Sequence, residues 1–483
     1  MKKIKLISAI SCVILLFACE DNLNFPPQSV VSSNSMWKIP GDAQGAMFGM
    51  LSQFRSAMSK DYIRWGDYRS GFFGDGIHSQ IAYQDLFNNV VDDTERGSDW
   101  KALYTAINDC NLIIKYVPEI EFTIQEDKDF ILANAYFIRA LTYFYITRIW
   151  GDVPLLLSGF ESDKQENLYP TRTPVSEILA QVASDIDQAV SLFPDDDAGS
   201  RKTGSKAAAN MLKADYYLWM AKMQGGGNDA FQKANTAVDY VLANTGYELL
   251  GNYETVFRND DNNEIIFALD FEINEYEGGF STDWLVAVQW INDKSLVENT
   301  IATGSHAQWV CFTPAYEAFL YEDSLDTRAK VSIDTYDEVG NRLFRWINKY
   351  RGDWVNETRF FTSDIKIYRL AEAILFKAEI ENELGNQASS LVEVNKIAKR
   401  AYGQDDYYAG TYTKEELDAI ILDERLKEFS AEGKSWWDMI RFGVVFNRVV
   451  SLIGRESEPG ILLWPVHVNA INTNPNITQT NGY

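Results

Sequence analysis

Two stretches of the sequence combine aromatic and polar residues in a pattern that could bind a ligand. The first stretch, residues 61–99, contains Trp65, Tyr68 and Tyr83 among charged residues. A flat indole or phenol ring can stack on the apolar C–H face of a sugar, while polar side chains hydrogen-bond to the sugar hydroxyl groups. We therefore expect this aromatic loop to display its rings at the surface and to contact a sugar-like ligand.

The second stretch, residues 247–363, has the same character. The aromatic residues expected to contact the ligand here are Tyr276, Trp284, Trp290, Trp309 and Trp354. The polar residues expected to assist in the two stretches are Arg64, Asp67, Arg69, Asp75, Asp283, Asn292 and Gln308. The alternative for any one of these rings is packing beneath its own loop, which is the commoner position of a single aromatic side chain.

Catalytic chemistry has little support in the sequence. The histidines are His78, His306 and His467, and they stand far apart without metalloprotease, nucleophile-elbow or nucleotide-binding motifs around them. Each is expected to be an ordinary hydrogen-bonding residue. A glycosidase needs only two suitably spaced carboxylates, and 69 acidic residues leave that possibility open. We expect a binding protein rather than an enzyme, with a glycoside hydrolase and a purely structural helical-repeat assembly protein as the alternatives.

No cofactor or metal is expected. The acidic runs 195–197 and 259–262 lack the spacing and the glycine of a calcium loop, so they indicate solvated turns. Cys110 and Cys311 are too few for a disulfide framework and lack metal-ligand spacing, although one bridge between them is possible. The net charge of −25 argues against nucleic acid as a partner.

The N-terminus predicts export and lipid attachment. Lys2, Lys3 and Lys5 precede a short apolar run that ends at Ala18, directly before Cys19. This order is typical of a signal peptide, and the run is too short to remain as a membrane span. The stretch Leu16-Phe17-Ala18-Cys19 resembles the lipobox of bacterial lipoproteins. The resemblance implies that residues 1–18 are removed and that Cys19 carries the lipid that anchors a tether, residues 19–36.

The elements that would position the aromatic stretches are mainly helical. Apolar residues recur with helical spacing from Trp100 to Val117, from Phe130 to Tyr145, and in three further segments up to residue 246. Thr173 and Pro174 are expected to begin one of these helices. Thr413 with Glu416 forms a capping box ahead of another, which is expected to end at Glu432-Gly433 with Gly433 in a left-handed conformation. The spacing is compatible with tetratricopeptide-like pairs or with a generic helical bundle.

This pattern divides the chain into an N-terminal helical region, 37–246, an irregular insertion, 247–363, and C-terminal helices with an extended tail, 364–483. The insertion has short β-leaning pieces separated by turns and no sustained helical period. The predicted fold is therefore mainly α, with helical hairpins forming a scaffold and the insertion as a candidate ligand-binding region.

Several segments of the C-terminal half resemble a known signature. They are Asp423-Glu424-Arg425, Phe429, Glu432-Gly433-Lys434 and the run from Trp436 to Gly443. Further matching segments are Arg139-Ala140 with Gly151-Asp152-Val153-Pro154, Tyr368 to Ala373, Trp464-Pro465, Asn474-Pro475 and the end of the chain from Gln479. Together they resemble the SusD/RagB family of nutrient-binding outer-membrane lipoproteins, and His467 and Thr480 are departures from its usual pattern.

The resemblance implies a tetratricopeptide-like scaffold that docks on a TonB-dependent transporter of the SusC kind, with a glycan held by loops and insertions on the opposite side. It also implies an outer-membrane location, facing the cell exterior and held by the lipid alone. The signature residues themselves are expected to be core, because glycine and large aromatic residues in such a run usually serve packing.

Overall fold

A computed structural model describes residues 36–59, 61–166, 168–195, 200–287, 290, 307–338, 342–356 and 358–483. The predicted signal peptide, Cys19 and all but the last residue of the tether lie outside these residues, as do Asn292 and His306. Removal of the signal peptide and lipidation of Cys19 therefore stay predictions.

Nine long helices form the scaffold within the described ranges. They are α1 (Pro40–Met58), α2 (Lys101–Tyr116), α3 (Gln125–Trp150), α4 (Val175–Leu192), α5 (Lys206–Met223), α6 (Gly227–Ala243), α7 (Leu370–Glu383), α8 (Gln387–Tyr402) and α9 (Lys414–Glu428). Shorter helices span Tyr62–Gly66, Ile81–Phe87, Thr255–Arg258, Pro314–Leu320, Arg328–Ser332, Ser435–Arg441, Val445–Arg448 and Val468–Thr473.

The long helices pack in pairs. α1 packs on α2, α3 on α4, α5 on α6, and α7 on α8, while α2 also contacts α3, α4 contacts α5, and α6 contacts α7. Each pair thus buries its face against the next pair, which is the arrangement of a helical solenoid. The predicted mainly α, tetratricopeptide-like fold is confirmed.

The junction of α5 and α6 shows how the sequence produces such a pair. The Ser205 hydroxyl accepts a hydrogen bond from the Ala208 backbone N–H at 3.1 Å and caps α5. Gly225 and Gly227 have positive φ angles of 71° and 52°, which let the chain reverse between the helices. Buried alanines of α5, among them Ala209, allow the neighbouring backbones to approach closely.

The start of α4 differs from the prediction. Thr173 does not cap the helix, because its backbone pairs with Val153 in an isolated β-bridge. The Asp152 carboxylate instead accepts the backbone N–H of Val175 at 2.8 Å. A carboxylate 23 residues away in sequence therefore provides the cap that the local pattern assigned to a threonine.

The predicted capping box of α9 is confirmed. The Thr413 side chain accepts the Glu416 backbone N–H at 3.2 Å, and the Glu416 carboxylate accepts the Thr413 N–H at 2.8 Å. The helix ends at Glu428, earlier than the expected end at Gly433. Gly433 does have a left-handed φ of 72°, so the expected conformation of this glycine is present although the helix stops before it.

Eight short strands pair as four two-stranded antiparallel sheets within the described residues. The pairs are β1 (Phe73–Asp75) with β3 (Val310–Phe312), β2 (Ile265–Leu269) with β8 (Ile365–Arg369), β4 (Ile333–Glu338) with β5 (Arg342–Ile347), and β6 (Asp353–Val355) with β7 (Thr358–Phe360). β2 and β8 close the base of the insertion, and β1 and β3 join the insertion to the aromatic loop. Short β pieces in an irregular insertion are as predicted.

Helix α3 is long and apolar enough to cross a membrane by composition alone. It nevertheless packs against α1, α2 and α4, and 83% of its most apolar window is buried inside the protein. An apolar helix enclosed by other helices is the expected form of a core helix in a large domain.

A buried ionic network connects the insertion to the scaffold. The Arg369 guanidinium lies 2.8 Å from Glu264 and from Glu432 and 2.5 Å from Glu428, and all four side chains are buried. Lys349 of the insertion adds a contact of 2.7 Å to Glu432. Burial alone would raise the pKa of the Glu432 carboxyl, but Arg369 and Lys349 bring it below its ordinary value.

Replacing Arg369 should therefore be severely destabilising. We expect Arg369→Met to lower the free energy of unfolding by about 3–5 kcal/mol, because three buried carboxylates lose their shared cation. The matched control is Arg455→Met, which removes a partly exposed ion pair with Glu458 and should cost no more than about 1 kcal/mol. Urea denaturation followed by circular dichroism measures both, and equal losses would contradict the structural role of the network.

Candidate functional site

The structure brings the two predicted aromatic stretches together. β1 pairs with β3, and beyond the pairing the Gly76 N–H donates to the Trp309 carbonyl at 3.1 Å. The His78 N–H donates to the Gln308 carbonyl at 3.1 Å, and the Trp309 N–H donates to the Asp283 carbonyl at 3.0 Å. Main-chain hydrogen bonds therefore hold the aromatic loop against the insertion.

An aromatic cluster occupies this junction. His78 lies between two indoles, with its ring centroid 5.1 Å from that of Trp290 and 5.8 Å from that of Trp309, at interplanar angles of 61° and 65°. Trp290 is 39% exposed, while Tyr83, His78 and Trp309 are half-buried. We call His78, Tyr83, Trp290 and Trp309 the surface cluster.

Tyr83 contributes a fixed polar group to the surface cluster. Its hydroxyl donates to the Asp283 carboxylate at 2.5 Å, across the contact between the loop and the insertion. Burial and the adjacent Asp283 carboxylate raise the pKa of Tyr83 to about 12. The phenol therefore remains a neutral hydrogen-bonding group at physiological pH.

The predicted surface display of Trp65, Tyr68 and Trp284 is wrong, because all three side chains are buried. Trp65 donates its indole N–H to the Gly97 carbonyl at 2.7 Å, and Trp284 donates its indole N–H to the Tyr68 hydroxyl at 2.8 Å. A buried ring stabilises the fold through its large apolar area, and a buried N–H needs such a partner. Tyr68 and Trp284 lie beneath the surface cluster, since the Tyr68 ring contacts that of Tyr83 edge-on and Trp284 is hydrogen-bonded to Tyr68.

The two remaining predicted aromatic residues are half-buried and pack against other elements. Tyr276 lies under the Arg55 guanidinium of α1, which is 5.1 Å from its ring centroid. Trp354 lies opposite Arg359 in the β6–β7 pair, with the guanidinium 5.2 Å from the ring centroid. Their contact with a ligand stays a prediction.

Several predicted polar partners serve the fold instead. The buried Asp67 carboxylate accepts the backbone N–H groups of Gly433 at 2.7 Å and Ser435 at 3.0 Å, and burial raises its pKa to about 6. Arg69 is buried, and its guanidinium lies 4.7 Å from the Trp436 ring centroid. The buried Gln308 amide donates to the carbonyls of Trp284 and Arg345, at 2.8 and 2.7 Å. Two of the predicted polar residues lie at the surface cluster, because Asp283 accepts the Tyr83 hydroxyl and Arg64 lies beside the same hydroxyl.

His78 is the residue of the surface cluster that sequence reasoning did not select. It was expected to be an ordinary hydrogen-bonding residue, yet its imidazole is the ring that joins Trp290 and Trp309. The sequence did give one indication of this role, because His78 lies within the aromatic loop, five residues before Tyr83. Its partners are more than two hundred residues away in sequence, so local spacing could not reveal the contact.

The described residues show no metal-binding cluster and no disulfide. No group of three or more histidine, cysteine, aspartate or glutamate side chains is arranged to hold a metal ion in these parts of the chain. Cys110 of α2 and Cys311 of β3 are both free and buried, and burial raises the pKa of the Cys311 thiol to about 11. The surface cluster provides flat rings for stacking and oxygen atoms for hydrogen bonds, which are the groups that bind a ligand noncovalently.

Comparison with known families matches both ends of the scaffold. A family described as "Starch-binding associating with outer membrane" matches residues 56–218, and a family described as "SusD family" matches residues 315–483. A SusD-like protein from Formosa agariphila is 26% identical, with 100% of each chain covered. The starch-binding protein SusD from Bacteroides thetaiotaomicron is 30% identical over 177 residues, which cover 34% of this chain and 30% of that protein.

Solved structures agree with the sequence relatives. NanU from B. fragilis superimposes with a TM-score of 0.80 at 26% identity, over 95% of this chain and 100% of NanU. A SusD superfamily protein from Bacteroides vulgatus superimposes with a TM-score of 0.79 at 25% identity, over 92% of this chain and 100% of that chain. The fold, the matched signature and the relatives agree, and the chain belongs to the SusD family.

Proposed function

We propose that this protein captures an oligosaccharide or polysaccharide at the cell surface and delivers it to a TonB-dependent outer-membrane transporter. The observation that carries the proposal is the surface cluster, where a partly exposed tryptophan stands at the contact between the aromatic loop and the insertion. Membership of the SusD family supports a carbohydrate-binding role, and the description of the matching family supports an association with the outer membrane.

The geometry of the surface cluster suggests how a sugar would bind. Both contacts of His78 with the indoles are edge-to-face, so contact with His78 covers at most one face of each indole ring. Trp290 is the most exposed ring of the cluster and is best placed to stack on the C–H face of a sugar. Asp283, which already orients Tyr83, would accept hydroxyl protons beside it.

The scaffold and the N-terminus support the delivery part of the proposal. The paired helices offer a rigid body on which a transporter could dock, while the ligand site is built from loops and the insertion. A lipid on Cys19 would be joined to α1 by about twenty residues, which can extend to at most about 70 Å. Such a tether keeps the protein at the outer membrane without fixing its height above the transporter.

Two other functions remain as alternatives with distinct consequences. A glycoside hydrolase would need a pair of carboxylates about 5–9.5 Å apart around the bound sugar, and it would release new reducing ends. A structural assembly protein would have no carbohydrate affinity, and replacement of Trp290 would leave its behaviour unchanged.

Removing the Trp290 ring should weaken glycan binding. On affinity gels containing starch or another polysaccharide that retards the wild-type protein, we expect Trp290→Ala to reduce the affinity about tenfold, because a stacking surface worth about 1–1.5 kcal/mol is lost. The control is Tyr169→Ala, which removes a ring that is 54% exposed on a different loop. Equal affinities of the two variants would count against the surface cluster as the glycan site.

Incubation with a bound polysaccharide should leave it intact. We expect saturable binding and no increase in reducing ends with time, because the proposed contacts are stacking and hydrogen bonds only. A reducing-end assay on the purified protein measures this, with a glycosidase of known activity as the positive control. A steady release of reducing ends, absent from a heat-denatured sample, would favour the hydrolase alternative.

Replacing Cys19 should detach the protein from the membrane. We expect Cys19→Ala to move the protein from the outer-membrane fraction to the soluble fraction, because the acyl chains on this cysteine are the proposed anchor. Cell fractionation and mass spectrometry of the N-terminal peptide measure the outcome. Cys311→Ala, at a buried thiol, is the control that should stay in the membrane fraction.

A further inference from the structure

A concave surface lies beside α1 and α2, where the segment around Phe160 approaches them. It encloses about 520 Å³, which falls within the range of small-ligand sites. Its lining includes Trp37, Gly45, Gly49, Asp109, Leu112 and Phe160. We call it the N-terminal groove, and it shares no lining residue with the surface cluster.

Asp109 gives the N-terminal groove an uncompensated negative charge. It stands half-buried on α2, and no ion pair or hydrogen bond to its carboxylate is found within the described parts of the chain. Burial raises the pKa of this carboxyl to about 6, so it is ionised at neutral pH at a cost in solvation. The other carboxylate of the groove, Glu161, is bound by Lys115 and by the Tyr116 hydroxyl.

Two aromatic rings stand in the lining with Asp109. Trp37 is half-buried, and its indole stacks on the Tyr116 ring with 5.2 Å between centroids and 18° between planes. Its backbone has a φ of 69°, a left-handed conformation that is unfavourable for a bulky residue and persists only where the surroundings hold it. Strained backbone conformations of this kind are common at residues whose side chains bind a ligand.

Asn108, the residue before Asp109 on α2, holds Phe160 in the lining of the groove. The Phe160 N–H donates to the Asn108 side-chain oxygen at 2.6 Å, and the Asn108 amide donates to the Phe160 carbonyl at 3.3 Å. Both backbone groups of Phe160 are therefore fixed by one side chain of α2. This arrangement sets the phenyl ring relative to the carboxylate of Asp109.

Two glycines of α1 leave the N-terminal groove open. Gly45 and Gly49 stand one helical turn apart, and a Cβ atom added to either would meet nothing within 4 Å. Glycine is among the least favourable residues in a helix interior, and packing within the described chain does not require it at these positions. The described residues leave the space above these two glycines open to a ligand.

We infer that the N-terminal groove binds a sugar that carries a free ammonium group, with the ammonium on Asp109 and the apolar sugar face against Trp37 or Phe160. A cation beside Asp109 would offset the cost of its partial burial, and the aromatic rings attract both a sugar face and a positive charge. The choice of a sugar as ligand class rests on the proposed function, but the site is separate from the surface cluster.

Calorimetry with glucosamine and N-acetylglucosamine at neutral pH tests this inference. The two sugars differ in the charge on nitrogen, so we expect the purified protein to bind glucosamine at least tenfold more tightly than N-acetylglucosamine. Asp109→Asn preserves the shape of the side chain and should lower the glucosamine affinity about tenfold. No saturable glucosamine binding, equal affinity for both sugars, or full affinity in Asp109→Asn would each overturn the inference.

Two further variants separate this site from the surface cluster and from effects on folding. Gly49→Leu should block glucosamine binding without loss of helical signal, because leucine favours the helix and fills the groove. Trp290→Ala should bind glucosamine as the wild type does. Loss of glucosamine binding in Trp290→Ala, or its retention in Gly49→Leu, would place the ligand elsewhere. Failure of polysaccharide binding with glucosamine binding intact would count against the proposed function alone.

Discussion

Arg369 lies where the insertion rejoins the helical scaffold, and its guanidinium is shared by carboxylates from both parts of the chain. Glu264 comes from the beginning of the insertion, whereas Glu428 and Glu432 come from the end of α9 and the turn after it. Arg400 of α8 also contacts Glu264, at 2.7 Å. Buried charges are tolerated only when their partners are fixed, so this network constrains where the insertion can sit on the helices.

The signature region extends this constraint to the aromatic loop. Asp67 accepts two backbone N–H groups just before and at the start of helix Ser435–Arg441, and the Arg69 guanidinium lies over Trp436 of that helix. The loop that carries His78 and Tyr83 is therefore attached to the signature at one end and to the insertion through β1 and β3 at the other. The signature residues from Glu424 to Arg441 are buried, and through these contacts they fix the orientation of the candidate ligand-binding segments from inside the protein.

The local sequence pattern correctly predicted those structural features that depend only on residues close together in the sequence. Helical spacing located α2 to α6, the capping box located the start of α9, and the bulky signature residues were correctly expected in the core. Helix α1 was not identified as a separate element, because Gly45 and Gly49 dilute its apolar repeat. The pattern of a single segment also cannot show that a distant carboxylate such as Asp152 will provide a cap.

The candidate site was harder to predict because exposure is a property of the whole fold. Trp284 and Tyr68 are 216 residues apart, and their hydrogen bond makes both of them internal. Trp290, six residues after Trp284, is the most exposed of the predicted rings. Composition therefore identified the two segments that form the candidate site, but it could not separate the rings that support the surface cluster from those that belong to it.

The pairing of β2 with β8 gives the insertion a stem whose two strands are adjacent in space. A segment that leaves and returns at one point can change in length at little entropic cost, since doubling a flexible loop costs only about 0.6 kcal/mol. Exposed turns between residues 270 and 364 can thus change in length during evolution, while buried residues such as Lys349 keep the insertion on the helical body. Diversification of ligand preference in related chains would then require changes above the stem and none in the packed helices below it.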